Sequence, residues 1–150
     1  MKLEAELKQT KPFKSEQQKL ALNILFTSSW LNSTFSENLK PCGITHHQFN
    51  VLRILKGRYP NSYRNTEITE RMIDRASNAT RIVDKLQEKK LVTRTENEED
   101  RRQVDIRITE KGLKLLDEID KKLLSRSITF MHFNEEKAKI MNEWLDEFRG

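Results

Sequence analysis

The first third of the chain carries apolar residues at the spacing of an amphipathic helix. From Ser15 to Leu39 the apolar positions repeat with a helical period, and Ser15 is suited to cap the N-terminus. The positions that set this pattern are Leu22, Leu25, Phe26, Trp30 and Phe35. Residues 1–14 are polar and predict a frayed start. The turn-forming residues Pro41-Cys42-Gly43 end the helix, and Thr45 caps the next one.

The middle of the chain predicts a helix-turn-helix. The second helix ends near residues 57–60, and a polar loop at 61–65 follows. A short helix begins at Thr66, and after a break at 73–76 a longer helix spans 77–90. The residues predicted to face inward are Ile68, Met72, Ile82, Val83 and Leu86. A short helix, a tight break and a longer helix with a polar face follow the helix-turn-helix plan.

After the longer helix the apolar period changes from helical to alternating. Residues 91–95 predict a short strand, and residues 104–108 alternate apolar and polar side chains to predict a second one. The connection at 96–103 is too charged to be buried. Two strands joined by an exposed charged tip predict a hairpin, which we call the wing (residues 91–109).

Two further helices follow the wing, with Thr109 and Asn134 as their N-caps. The apolar residues of the first are Leu113, Leu116, Ile119, Leu123 and Leu124. Those of the second are Ile140, Met141, Trp144, Leu145 and Phe148. The expected fold is therefore mainly α with a small β-hairpin. A winged helix-turn-helix region at 45–109 is flanked by helical regions at 15–39 and 113–148.

Composition and charge narrow the class of protein. The chain has 150 residues and a net charge of +5. Residues 51–112 hold 15 Lys/Arg and 11 Asp/Glu, a net of +4, so the positive excess lies mostly in the middle and suits a surface that meets phosphate. No apolar stretch approaches the length of a membrane span, and Met1–Glu6 does not have the pattern of a signal peptide. The single cysteine suits a protein of the reducing cytoplasm. No catalytic constellation or cofactor motif stands out, so we expect no enzyme.

The helix at 77–90 is the candidate recognition helix. A helix fits the major groove of DNA, and its N-terminal residues reach the base edges. Asn78 can pair with adenine, and Arg75 and Arg81 can contact guanine or phosphate. The short hydroxyl side chains of Ser77 and Thr80 suit close contact with phosphates or bases. The candidate DNA-binding residues of this segment are Arg75, Ser77, Asn78, Thr80, Arg81 and Lys85. The alternative is a solvated helix face.

The wing tip adds Asp100, Arg101 and Arg102 to the candidate DNA-binding residues. An arginine side chain can enter a narrow minor groove, where the negative potential is enhanced. Asp100 would be repelled by phosphate, so we expect it to orient one of the arginines. The acidic residues Glu96, Glu98 and Glu99 keep a solvated charge run open as the alternative.

Three segments resemble the multiple-antibiotic-resistance regulator (MarR) family of bacterial winged-helix repressors. Residues 100–112 resemble the family's D-R-R wing and its ending close to L-T-E-K-G. Residues 77–92 resemble its recognition helix and the following G-L-V, and residues 43–49 resemble its G-L-T-x-x-Q-F/W start of the second helix. The likeness spans about residues 15–148. The chain departs from the family at Lys90, where glycine is common, and at Ile73-Asp74, which replaces a glycine-containing turn.

The resemblance implies a homodimer that binds double-stranded DNA at a palindromic site. The outer helices at 15–39 and 113–148 would form the dimerisation region, and their apolar stripes exceed what one winged domain needs to cover. Family effectors are often small aromatic acids that bind between the helical and DNA-binding parts, which makes Phe26, Trp30 and Phe49 candidate pocket residues, with plain core as the alternative.

Two further residue groups are assigned no special chemistry. Cys42 could sense oxidants as in some relatives, but we interpret it as an ordinary small residue. His46 and His47 are adjacent on a helix and point about 100° apart, which disfavours one shared metal ion. A helical protein-interaction module that keeps the winged fold without specific DNA binding remains the second hypothesis for the whole chain.

Overall fold

The computed structural model describes residues 2–97, 103–125 and 134–150. Its described part contains helices and one small sheet, and the expected mainly helical fold with a β-hairpin is confirmed. The elements are α1 (Leu3–Glu6), α2 (Glu16–Leu39), α3 (His46–Lys56), β1 (Tyr63–Arg64), α4 (Asn65–Arg71), α5 (Ala79–Glu88), β2 (Val92–Glu96), β3 (Val104–Ile108), α6 (Glu110–Ser125) and α7 (Glu135–Arg149). None of the helices in these three ranges is long and apolar enough to cross a membrane.

Side-chain caps fix where the helices begin. The hydroxyl of Ser15 accepts the backbone N–H of Gln18, and Asn134 accepts that of Lys137. Thr45 and Gln48 form a capping box, in which each side chain accepts the other residue's backbone N–H at 3.2 Å. Each cap satisfies backbone donors that lack a partner inside the helix. The predicted caps at Ser15, Thr45 and Asn134 are confirmed.

One apolar core holds the helix-turn-helix and the sheet together. It is built by α3, α4, α5, α6 and both wing strands, and the side chains that are fully or almost fully buried include Val51, Leu52, Leu55, Ile68, Met72, Val83, Leu86, Ile106, Ile108, Leu116 and Ile119. Burial of this apolar surface is the main force that stabilises the region. The predicted inward positions Ile68, Met72, Val83 and Leu86 are confirmed, while Ile82 lies at the edge of the core.

The sheet has the order β1-β3-β2, and both pairings are antiparallel. Val92 of β2 pairs with Ile108 of β3, and Glu96 pairs with Val104, which confirms the predicted hairpin. The sequence analysis missed β1 and treated 61–65 as a loop. Two residues are too few to show an alternating pattern, and β1 exists because Tyr63 pairs with Ile106 of β3.

Two predicted boundaries were wrong. The first residues are not simply frayed, because Leu3 is buried and Lys19 of α2 forms an ion pair with Glu4 of α1 at 2.6 Å. The predicted recognition helix spans Ala79–Glu88 rather than 77–90. It begins later because Asn78 has an extended backbone and caps the helix, and it ends earlier because Lys90 has a φ of +61°.

A Schellman motif joins α5 to the wing. The N–H of Lys90 donates to the carbonyl of Gln87 at 2.8 Å, and the N–H of Leu91 donates to that of Leu86 at 2.9 Å. This motif requires the left-handed conformation at Lys90 and is usually accompanied by an apolar contact between residues at the positions of Leu86 and Leu91, both of which are buried here. The positive φ explains why glycine would be favoured at this position.

The segment Thr109–Gly112 attaches α6 to this junction. The Thr109 hydroxyl donates to the carbonyl of Lys90 at 2.9 Å and accepts the N–H of Gly112 at 3.1 Å. A Cβ on Gly112 would lie 2.5 Å from the carbonyl oxygen of Leu91, so only glycine fits without movement of the backbone. These residues therefore have a structural role, since they hold the start of α6 against the base of the wing.

We predict that Lys90→Gly stabilises the protein by about 1 kcal/mol, because a non-glycine residue in the left-handed region is strained by roughly this amount. Lys90→Ala is the matched control, since it removes the same charge and side chain but keeps the strain. Urea unfolding of the three proteins measures the difference. A Lys90→Gly protein no more stable than Lys90→Ala would show that the backbone at this position is unstrained.

Candidate nucleic-acid interface

Helix α5 presents one buried face and one exposed face. Ala79, Val83 and Leu86 are buried in the core, which fixes the rotation of the helix about its axis. The opposite face carries exposed side chains, of which the sequence analysis singled out Asn78, Thr80, Arg81 and Lys85. The helix-turn-helix arrangement of α4, turn and α5 is therefore present, with a polar helix face open to a partner.

Two cations stand unpaired at the start of this face. Arg75 in the turn and Arg81 in the first turn of α5 are exposed, and neither forms an ion pair or hydrogen bond through its guanidinium with another described residue. Asn78 is exposed and its side-chain Oδ1 accepts the backbone N–H of Arg81 at 3.0 Å, while its side-chain NH2 group has no partner within the described ranges. These side chains are free to donate hydrogen bonds to a ligand.

The other predicted residues of this segment are engaged within the protein. The Nζ of Lys85 lies 2.9 Å from both carboxylate oxygens of Glu88, which balances its charge on the surface. The Ser77 hydroxyl donates to Asp74 at 2.6 Å. The Thr80 hydroxyl accepts from the amide of Asn65 at 2.8 Å. Arg75, Asn78 and Arg81 are consequently the exposed residues of the set whose side-chain donors have no partner within the described ranges.

The base of the wing is attached directly to α5. Arg94 of β2 forms an ion pair with Asp84 of α5, and its second NH2 group lies 3.4 Å from the carbonyl oxygen of Thr80. Across the hairpin, the amide of Asn97 donates to Asp105 at 3.0 Å. The sequence analysis missed Arg94, although its place on a strand that follows a polar-faced helix was a usable signal. The predicted tip residues Asp100, Arg101 and Arg102 lie outside the described residues.

A polar cleft of about 580 Å³ separates the start of α4, the start of α5 and the wing strands. The residues that line it include Arg64, Asn65, Thr66, Thr80 and Arg94. Two of its polar atoms, Oδ1 of Asn65 and Nε of Arg94, are buried without a hydrogen-bond partner. Arg64 of this cleft adds a positive charge near Arg75 and Arg81, whereas the charge of Arg94 is balanced by Asp84.

An acidic residue lies within the turn itself. The carboxylate of Asp74 accepts from the Ser77 hydroxyl, from His47 at 3.2 Å and from the backbone N–H of Ala76 at 3.1 Å. The Ser77 hydrogen bond and, after it, the His47 contact lower the pKa of Asp74 below its ordinary value, so that this carboxylate stays ionised. A negative charge is thus maintained between Arg75 and the end of α4.

A second feature is an apolar cavity of about 800 Å³ between α2 and α7. Its apolar lining is Leu20, Ile24, Leu31, Phe35, Ile73, Met141, Trp144, Leu145 and Phe148. Polar atoms come from residues such as Asn23, Asn32 and His46. The ring of His46 stacks on Phe35 with centroids 5.4 Å apart, and burial, followed by the neighbouring His47, lowers the pKa of His46.

The predicted pocket residues do not line this cavity. Phe49 packs against the edge of the core, Trp30 is about half exposed and Phe26 lies partly buried elsewhere on α2. The apolar side chains of α2 lie around much of the circumference of the helix. Periodicity therefore could not tell which of its side chains face α7.

Comparisons with known proteins agree with this geometry. The model of the MarR family matches residues 44–104. The chain is 32% identical over 115 residues to the HTH-type transcriptional repressor MdtR of Bacillus subtilis (strain 168), covering 75% of this chain and 72% of MdtR.

Solved structures give the same fold. The transcriptional repressor CouR bound to a 23-mer DNA duplex matches with a TM-score of 0.76 at 21% identity, covering 94% of this chain and 100% of CouR. A structure of Bordetella bronchiseptica BpsR, which concerns regulation of its DNA binding by 6-hydroxynicotinic acid, matches with a TM-score of 0.74 at 19% identity, covering 88% of this chain and 99% of BpsR.

Proposed function

The chain belongs to the MarR family, whose members are DNA-binding transcriptional regulators, and from this premise we propose that it is a repressor that binds palindromic operator DNA as a homodimer. The observation that carries the proposal is that Arg75 and Arg81, which have no partner among the described residues, lie beside the exposed cap Asn78. The similarity to MdtR, which is named as a repressor, favours repression over activation. The protein is not an enzyme.

Helix α5 would enter the major groove with its N-terminal end foremost. Arg81 and Asn78 would then meet base edges, because arginine matches guanine and asparagine matches adenine with two hydrogen bonds each. Arg75 would contact the phosphate backbone. Arg101 and Arg102 would reach the minor groove at the wing tip, with Asp100 orienting them. The ion pair of Arg94 with Asp84 would keep the wing and α5 in a fixed relation during binding.

We predict that Arg81→Ala weakens binding to the preferred DNA sequence about tenfold or more, since it removes a bidentate base contact. The probe is a palindromic duplex that the wild-type protein selects from a random DNA pool, and fluorescence anisotropy at two salt concentrations measures the affinity. The wild-type affinity should fall steeply as salt rises, because phosphate contacts release counterions.

Arg53→Ala is the matched control, since Arg53 lies on α3 and is already paired with Asp120 of α6 at 3.0 Å. Asn78→Ser keeps a capping oxygen while it removes the amide, so it should alter the selected sequence more than the affinity. Equal losses for Arg81→Ala and Arg53→Ala would contradict the assignment of α5 as the recognition helix.

The outer helices support assembly of two copies. Several large apolar side chains of α2 and α7 are exposed to solvent. The relative exposure is 67% for Leu25 and 65% for Trp144. Apolar surface of this extent on helices usually marks an interaction site. We assign it to the partner copy, with residues 15–39 and 113–148 as the dimerisation region. A two-fold axis would then present two α5 helices to half-sites about one DNA turn apart.

We predict that Trp144→Glu converts the dimer to a monomer and reduces operator affinity at least a hundredfold, because one helix-turn-helix then binds alone. The exposed position of Trp144 means that the substitution leaves the described core intact. Lys139→Glu, an exposed position on the same helix, is the matched control. Sedimentation equilibrium gives the mass and circular dichroism checks the fold. A Trp144→Glu protein that remains dimeric would contradict the proposed interface.

The cavity between α2 and α7 supports regulation by a small molecule. Its volume of about 800 Å³ and its aliphatic and aromatic lining suit an aromatic ring, and Asn23, Asn32 and His46 can hydrogen-bond polar substituents. Regulation of BpsR by 6-hydroxynicotinic acid is a property of that protein. For this chain we propose a small aromatic effector that binds in the cavity and releases the operator.

We predict that at least one of a panel of aromatic carboxylic acids, including benzoate and 6-hydroxynicotinate, quenches Trp144 fluorescence and weakens operator binding. Trp144 is a good reporter because it lines the cavity. Leu31→Trp should weaken the effect on operator binding, because the larger side chain occupies part of the cavity, while DNA affinity without the acid stays unchanged. Release of the operator that is undiminished in Leu31→Trp would place the effector elsewhere.

A further inference from the structure

The turn between α4 and α5 has little apolar attachment of its own. Residues 73–78 are exposed except for the half-buried Ser77, and the side chain of Ile73 is 77% exposed. The nearest buried residues are Met72 before the turn and Ala79 after it. Packing therefore fixes the two ends of the turn but not the path between them.

Two side chains of α3 supply the missing attachment. Oδ1 of Asn50 accepts the backbone N–H of Ile73 at 3.1 Å. Nε2 of His47 donates to Oδ2 of Asp74 at 3.2 Å. Both contacts join α3 to residues that are 23 and 27 positions away in sequence, so they tie the turn to the rigid part of the domain.

From Asp74 the hydrogen bonds continue to the start of α5. The same Oδ2 atom accepts the Ser77 hydroxyl at 2.6 Å, and Oδ1 accepts the N–H of Ala76 at 3.1 Å. Ser77 directly precedes the cap Asn78, whose side chain binds the N–H of Arg81. Hydrogen bonds thus connect His47 on α3 with Ser77, and the peptide bond from Ser77 to Asn78 joins them to the cap that binds Arg81, so that His47 is linked to the two residues proposed to contact bases.

We propose that His47 is a positioning residue for DNA recognition, which acts through Asp74 to fix the turn that sets the position of Arg75, Asn78 and Arg81 on the DNA. This inference rests on the proposed function. Neither His47 nor Asp74 needs to touch DNA. The role of the pair is to reduce the freedom of the turn before binding, because a preorganised surface loses less entropy on association.

The negative charge of Asp74 allows a test that separates a positioning role from simple repulsion of phosphate. A carboxylate beside a DNA-binding surface repels phosphate, so removal of its charge alone should strengthen binding. A positioning role predicts the opposite for specific DNA. The pair is also well exposed, with side-chain exposures of 46% for His47 and 50% for Asp74, so its loss should change the stability of the fold very little.

The experiment compares His47→Ala, Asp74→Ala and the double variant on the wild-type-selected palindromic duplex and on a random-sequence duplex of the same length. We expect His47→Ala to lose about threefold to fivefold in affinity for the selected duplex, in line with the worth of an exposed pair, and Asp74→Ala to lose at least as much, because it also removes the hydrogen bonds from Ser77 and Ala76. The double variant should lose much less than the product of the two single losses, because the two residues act through one contact. Affinity for the random duplex should stay equal or rise for Asp74→Ala.

Two matched controls separate positioning from charge and from general damage. His47→Gln keeps an N–H donor of similar reach and should restore most of the specific affinity. Glu70→Ala removes an equally negative, exposed residue of α4 whose carboxylate forms only a 3.9 Å ion pair, and it should not weaken specific binding. Thermal unfolding of every variant should match the wild type within a few degrees.

Three results would overturn the inference. They are specific affinity that is unchanged in His47→Ala, tighter specific binding by Asp74→Ala, and single losses that simply multiply in the double variant. Each of these leaves the proposed function intact, because the wild-type protein still selects its own duplex. A wild-type protein that selects no sequence from the random pool would instead overturn the proposed function and this inference together.

Discussion

The burial of one face of α5 is the constraint on which the rest of the structure depends. Ala79, Val83 and Leu86 are held in the core, and this fixes which side chains of the helix face outward. The Schellman motif at its C-terminus then sets the direction in which the wing leaves, and Thr109 and Gly112 attach α6 to the same junction. The orientation of the proposed DNA-binding surface therefore depends on core contacts on the opposite side of α5, since an exposed helix face cannot determine its own orientation.

The helices at the two ends of the chain differ from the winged region in how their apolar side chains are covered. The winged region buries its apolar residues within one copy, whereas α2 and α7 leave large side chains such as Leu25 and Trp144 in solvent. A chain of 150 residues has limited apolar material for its core, and the proposed association of two copies would bury the remainder. The same association would place two α5 helices on one DNA site, so that the outer helices would contribute both to stability and to specificity.

The sequence predicted the elements whose signals are local. Ser15, Thr45 and Asn134 are visible as caps because a capping side chain acts within three residues, and the hairpin is visible because its alternation extends over five residues in each strand. Features that depend on contacts distant in sequence were missed. Strand β1 exists only through its pairing with β3, and the cavity lining depends on how α7 meets α2. The early end of α5 arises from the backbone of Lys90, a position where the resemblance to the MarR family had indicated that glycine is common.

The distribution of charge around the turn suits a surface that distinguishes one DNA sequence from another. Among the described residues of α5 and the wing strands, Lys85 is neutralised by Glu88 and Arg94 by Asp84, and Asp74 adds a negative charge inside the turn. Non-specific affinity depends on the number of phosphates that free cations neutralise, whereas specific affinity depends on how well a few donors are placed. A surface with paired cations and a rigid turn therefore favours sequence discrimination over total affinity. If Asp74 holds the turn as proposed, its contribution to recognition would exceed what its repulsion of phosphate takes away.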